Sequence, residues 1–248
     1  MTVLGRILPA SNSTFYCRLG PEDGGVRAVY KPVSGERPLW DFEDGTLANR
    51  EYAAWLVSEA LAWSVVPPTV LRDGSAGPGM VQLWCDPDPD QAPVDLLPEG
   101  PLPAGTLHVL DAFDDRDRPV MLVHEDSAQL RRMALFDIVV NNTDRKGGHV
   151  LAMPDGHRYG VDHGVCFHVD DKLRTVLWGW SGQRLDTAEA EALRCLADRL
   201  DTDLGERLAE LLTGAEIEAT RRRLRKLIAG GRFPRPGVGW PSIPWPAF

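Results

Sequence analysis

Phe136-Asp137-Ile138-Val139-Val140-Asn141-Asn142-Thr143-Asp144-Arg145-Lys146-Gly147-Gly148-His149, continued through Pro154-Asp155-Gly156-His157 to Tyr159-Gly160-Val161-Asp162-His163-Gly164, is the stretch that decides how this chain folds. Ahead of it, Leu130, Met133, Ala134, Asp137 and Val140 recur at helical spacing, and Asp126 with Gln129 three residues on predicts a capped helix ending at Val140. That helix carries an acid, Asp137, on an apolar face. Residues 150–153 and 158–161 flank Asp155-Gly156, whose tolerance of positive φ predicts a hairpin. A turn centred between those two residues sets His149 opposite Asp162, with Cβ atoms roughly 5 Å apart, close enough for both side chains to grip one cation. Asp144 lies in the loop feeding the hairpin, beside Arg145 and Lys146. Such a density of charge is the pattern of a site, the alternative being an ion-pair network at an ordinary hairpin end.

Upstream, residues 3–8, 15–19 and 26–31 read as a three-stranded meander, and Thr46 caps a predicted helix running to about Trp63. On it Leu47, Glu51, Ala54, Ser58 and Leu61 share one face, which puts a carboxylate on a largely apolar stripe. Residues 65–71 and 80–84 predict two more strands. From Asp86 to Thr106 the chain is rich in Pro and Asp without periodicity, which predicts a connection between an N-terminal part (1–85) and a C-terminal part (107–248). Residues 186–229 read as two helices.

The 248 residues are 43% hydrophobic and 25% charged, which excludes fibrous and disordered classes. A net charge of −9 argues against nucleic acid as a partner. Cys17, Cys85, Cys166 and Cys195 form no CxxC pair, so neither a zinc knuckle nor a dithiol redox site is expected. No leader-like or membrane-spanning apolar run is seen, and a cytoplasmic protein is expected. Only Lys31, Lys146, Lys172 and Lys226 among 27 basic residues are lysines, so each invites a specific explanation.

The segment from Asn142 to His149, with Tyr159 to Gly164, resembles the catalytic loop and metal-binding segment of phosphatidylinositol 3- and 4-kinases, type II phosphatidylinositol 4-kinases above all. The whole stretch from about Gly5 to Phe167 follows the kinase order of parts. It looks most like a bacterial phosphatidylinositol 3- and 4-kinase-like family, related more remotely to HipA-type kinases. The resemblance implies an α+β, atypical protein-kinase-like bilobal fold with a β-rich N-lobe and a mostly helical C-lobe. It also implies a phosphotransferase using ATP with Mg2+ or Mn2+ on an unidentified hydroxyl acceptor.

Carried over residue by residue, Asp144 orients or deprotonates the attacking hydroxyl, with Arg145 beside it as a catalytic residue. Lys31 clamps the phosphates and pairs with Glu51. Ser11, Asn12 and Ser13 cover the phosphates, while Gln82, Leu83 and Trp84 meet the adenine edge or form a plain buried strand. Asp162 and His149 hold the metal, and Asp137 and Asn142 support the loop. His149 departs from the family's Asn, and a ring nitrogen suits manganese or zinc better than magnesium. This His and the glycine-free turn also suit a nucleotide-binding pseudokinase. A metal-dependent hydrolase with Asp144, His149 and Asp162 as ligands and His163 or His168 as base is the third reading.

Overall fold

The computed structural model describes residues 1–8, 12–42, 47–237 and 239–248. Ser11 and Thr46 lie outside them. The meander forms as read: β1 (Thr2–Arg6), β2 (Phe15–Leu19) and β3 (Val26–Pro32) join β4 (Thr69–Gly74) and β5 (Gly77–Leu83) in an antiparallel sheet of order β1-β2-β3-β5-β4. Cys17, Ala28, Tyr30 and Val81 fill a small core on one face. Register places Lys31 opposite Met80 and Val29 opposite Gln82, so Val29 and Lys31 share the other face.

α1 (Leu47–Ala60) packs against β4 and β5. Its first N–H groups, on Leu47 and Ala48, donate to the two carboxylate oxygens of Glu36 at 2.9 Å each, so an acid eleven residues upstream caps the helix. The helix is buried over most of its circumference, not along one stripe, with Arg50 and Glu51 both inside. Arg50 Nη1 lies 2.5 Å from Glu216 Oε1 in a buried ion pair.

The segment read as an unpatterned connection holds a strand. β6 (Val94–Pro98), β7 (Thr106–Phe113) and β8 (Pro119–Glu125) form a second antiparallel sheet, order β6-β8-β7. α2 (Ala128–Val140) is capped by Ser127, whose Oγ accepts from the Leu130 N–H at 3.2 Å; Asp126, expected in that place, instead accepts from the Trp180 indole at 2.8 Å. After β9 (Val150–Ala152) and β10 (Arg158–Gly160), three helices follow where two were expected: α3 (Thr187–Leu200), α4 (Asp203–Ala209) and α5 (Gly214–Gly230). Capping boxes Asp186/Glu189 and Thr213/Glu216 start α3 and α5. The main core joins α1 to α2, α3, α4 and α5 through residues such as Leu56, Phe136, Leu193 and Leu224. The chain is thus α+β, with α1 set between β3 and β4, α2 ahead of the hairpin and the other helices after it. Among the described residues no helix is long and apolar enough to cross a membrane.

The hairpin differs in register from expectation. Val150 pairs with Gly160 and Ala152 with Arg158, so His149 lies across from Val161, whose N–H donates to the His149 carbonyl at 3.0 Å. The cause is the loop: Gly156 N–H donates to Met153 O at 2.9 Å and Gly156 has φ +88°, a turn followed by a left-handed glycine that inserts one more residue than a two-residue turn.

Candidate active site

Lys31 is the penultimate residue of β3, on the sheet face turned toward the hairpin. Its Nζ lies 2.6 Å from Glu51 Oε1 of α1 and 2.7 Å from Asp162 Oδ1. Burial alone would lower the Lys31 ammonium, but Asp162 and Glu51 outweigh it and hold it above its ordinary value. The charge of Lys31 conversely holds the Asp162 carboxyl well below the usual carboxylate range. Asp162 has φ +64°, uncommon for a residue with a Cβ, and such strain persists where the surroundings impose it. Glu51 uses its second oxygen to accept the His163 backbone N–H at 2.8 Å.

The loop between α2 and β9 is built on a buried ion pair. α2 stops at Asn141, in the left-handed region. One turn back, Asp137 takes a bidentate pair from Arg145, Nε to Oδ2 and Nη2 to Oδ1, both 2.9 Å, with both side chains fully buried. Asn142 Nδ2 donates to Asp137 Oδ1 at 3.0 Å while Asn142 Oδ1 accepts the Asp144 N–H at 2.9 Å, which fixes the backbone that presents Asp144. Arg145 also donates to the carbonyls of His149 and Val161 and sits 2.6 Å from His163 Nε2. Its expected role beside the reacting groups is therefore corrected. Arg145 is an internal brace, with no exposed face to offer a substrate. Gly160 permits this, since a Cβ there would lie 2.8 Å from Arg145 Nη2.

His149 reaches the site despite the shifted register. Its Nδ1 lies 3.0 Å from the Asp144 carbonyl, which can only accept, so Nδ1 carries the proton. Burial keeps the ring neutral by lowering its proton affinity. The Nε2 lone pair then faces Asp162 Oδ2 at 3.5 Å, two electron-pair donors turned toward each other. Such a pair fits a shared cation. Among the described residues, no group of three or more His, Cys, Asp or Glu side chains gathers as a ready-made metal cage. The three-ligand arrangement of the hydrolase reading is therefore not formed.

Two residues noted in the sequence without a part in the kinase reading take up places here. Lys146 Nζ stands 3.3 Å from Asp144 Oδ2, in the charged cluster that the sequence marked. His163, fully buried and held neutral by burial and by Arg145, connects Arg145 to Glu51. From Asp137 through Arg145, His163, Glu51, Lys31 and Asp162 to His149, one polar chain joins the loop to the sheet.

The residues expected at the nucleotide are less available. The N–H groups of Leu83 and Trp84 already donate to Pro68 O at 2.9 Å and Arg27 O at 3.0 Å, so an adenine edge there would have to use other backbone groups of this segment. Gln82 is buried with its amide on Thr69 Oγ1 at 2.9 Å, which favours the plain strand reading. Asn12 Oδ1 accepts the Arg37 N–H at 2.9 Å, and the Ser13 N–H donates to Gly35 O at 3.1 Å, so the turn is tied to the segment after β3.

No family model matches the chain. A crystal structure of the Golgi casein kinase aligns with 95% of this chain and 76% of that one, at a TM-score of 0.49 and 14% sequence identity. Protein Rv2133c of Mycobacterium tuberculosis (strain ATCC 25618 / H37Rv) is 52% identical over 257 aligned positions, spanning 100% of this chain and 92% of that protein. With identity of that order along its whole length, this chain belongs to the family of Protein Rv2133c.

Proposed function

We propose that this chain is an ATP-dependent phosphotransferase of atypical kinase type, with the nucleotide held between the five-stranded sheet (1–85) and the helical part that carries the catalytic loop (107–248). The observation that carries this is Lys31, on the sheet, bridging Glu51 of α1 and Asp162 of the hairpin at 2.6 and 2.7 Å. A phosphate clamp needs a cation held in place by one carboxylate and able to exchange the other for phosphate oxygens. Asp162 and His149 would hold a divalent ion, which supplies charge neutralisation at the phosphates. Asp144, on its braced backbone, orients the acceptor hydroxyl and takes its proton as the oxygen attacks the γ-phosphorus and ADP departs. Lys146, beside Asp144, neutralises charge on the transferring phosphoryl group. The acceptor is a hydroxyl compound; a phosphoinositide rests on the resemblance of the loop alone.

Calorimetric titration with ATP and a divalent metal, run beside transfer of radiolabelled γ-phosphate, tests this. Asp144→Asn should lower transfer by roughly 10² or more with ATP affinity almost unchanged, whereas Lys31→Ala should remove most of the binding. Equal ATP binding by Lys31→Ala and the parent would sink the clamp. His149, standing beside Asp162 where the family has Asn, favours a second reading, a nucleotide-binding pseudokinase, which takes over if the parent binds ATP and transfers to nothing.

A further inference from the structure

Away from the polar chain, the C-terminal half of α5, the end of α2 and the segment after α5 enclose a cavity of about 420 Å³. Such a volume suits a small ligand. Its walls are largely apolar, with Ile138, Leu227, Trp178 and Trp240 among them, yet Arg223, Lys226, Arg232 and Arg235 also line it. Among the described residues of this lining Asp171 is the one acid, and it is tied no closer than 4.0 Å to Lys226. In a chain of net charge −9 this is a local inversion.

Arg223 is the unusual member. It is 7% exposed, and it donates to neutral oxygens: Val139 O at 3.3 Å, His168 O at 3.0 Å and Thr220 Oγ1 at 3.0 Å. Burial lowers its guanidinium to about 10, outweighing the opposing pull of the Asp171 and Glu216 carboxylates. Trp240 adds a buried indole N–H that has no hydrogen-bond partner among the described residues. The basic run 221–226 reads from sequence as a solvated helix face, and Arg222, Arg225 and Lys226 are indeed exposed, but Arg223 turns inward.

We propose that this cavity is a binding site for a small amphiphilic anion, its apolar part between Trp178 and Trp240 and its anionic head on Arg223, Lys226 and Arg235. The site is independent of the kinase reading. Asn141, which lines the cavity, immediately precedes Asn142 of the loop.

Monomeric dodecyl phosphate, below its micelle concentration, is the probe, with tryptophan fluorescence and calorimetry as readouts. Saturable one-to-one binding is expected, with Lys226→Glu/Arg235→Glu weakening it at least tenfold and leaving the thermal midpoint in place, since both side chains are exposed. Trp240→Phe should reduce the fluorescence change. Inorganic phosphate binding as tightly would show that the apolar walls are not used, and dodecanol binding as tightly would show that the cations are not; either overturns the proposal. So does unchanged affinity in the double variant, or binding only to phosphatidylglycerol vesicles. Arg223→Met serves as a further check where its folded state is verified by circular dichroism.

Discussion

Arg145 and Lys146 are neighbours with opposite fates. Removing Arg145 strands the Asp137 carboxylate in the core, so Arg145→Ala should destabilise the fold by about 3–5 kcal/mol, read as a lower urea midpoint. Lys146→Ala should leave that midpoint within about 0.5 kcal/mol of the parent while reducing phosphate transfer, because its side chain serves Asp144 and little else. Equal loss of stability in both would contradict the division between brace and reactive residue. Asp144 and Asp162 stood out by their place around a hairpin and Glu51 by its place on an apolar helix face, whereas Lys31 was picked out by its rarity and by the resemblance. Which way Arg145 points was not legible in the sequence, because that depends on Asp137 and Gly160 meeting it in three dimensions. His149 invites a separate measurement. With a nitrogen beside Asp162, manganese should support nucleotide binding better than magnesium, and His149→Asn should narrow the difference. An unchanged metal preference would place His149 outside the coordination shell.

Among the elements, α1 carries the cap that local reading missed. A helix start is sought in the few residues before it, whereas Glu36 reaches Leu47 and Ala48 from across an intervening segment. Glu36→Ala should cost about 0.5–2 kcal/mol and speed amide exchange in the first turn of α1. Exchange unchanged there would mean that the cap is made by other residues. β6 and β7 escaped notice for another reason. β6 ends in proline and is only partly buried, and β7 alternates between half-buried and exposed positions, so neither shows the clean apolar period by which strands are recognised. β2, β3 and β5, whose inward residues are fully buried, were read within a few residues. The hairpin's existence was plain from Asp155-Gly156, while its register depended on whether the loop held two residues or three.

At the scale of the molecule, His124 and His163, with His149 beside them in sign, set an acid limit on stability. His124 is lowered by burial, with Nδ1 on Glu125 O at 2.9 Å and Nε2 accepting the Gly179 N–H at 3.0 Å, while His163 is lowered further. A group whose proton affinity falls on folding adds stability that is present above its unfolded value, 6.5, and is lost as pH drops through the folded one. Urea midpoints should therefore fall between pH 7.5 and 5, and His124→Gln should flatten that slope; an identical slope would exclude His124 as a contributor. One earlier contact bears on how such a molecule is controlled. Arg50 and Glu51 are consecutive on α1, one bound to Glu216 of α5 and the other to Lys31 of β3. A rotation that freed Glu51 would also tear Arg50 from its buried partner, at about 3–5 kcal/mol, a population below roughly one in a hundred. α1 is thus a bolt thrown at both ends: turning it means drawing two pins at once.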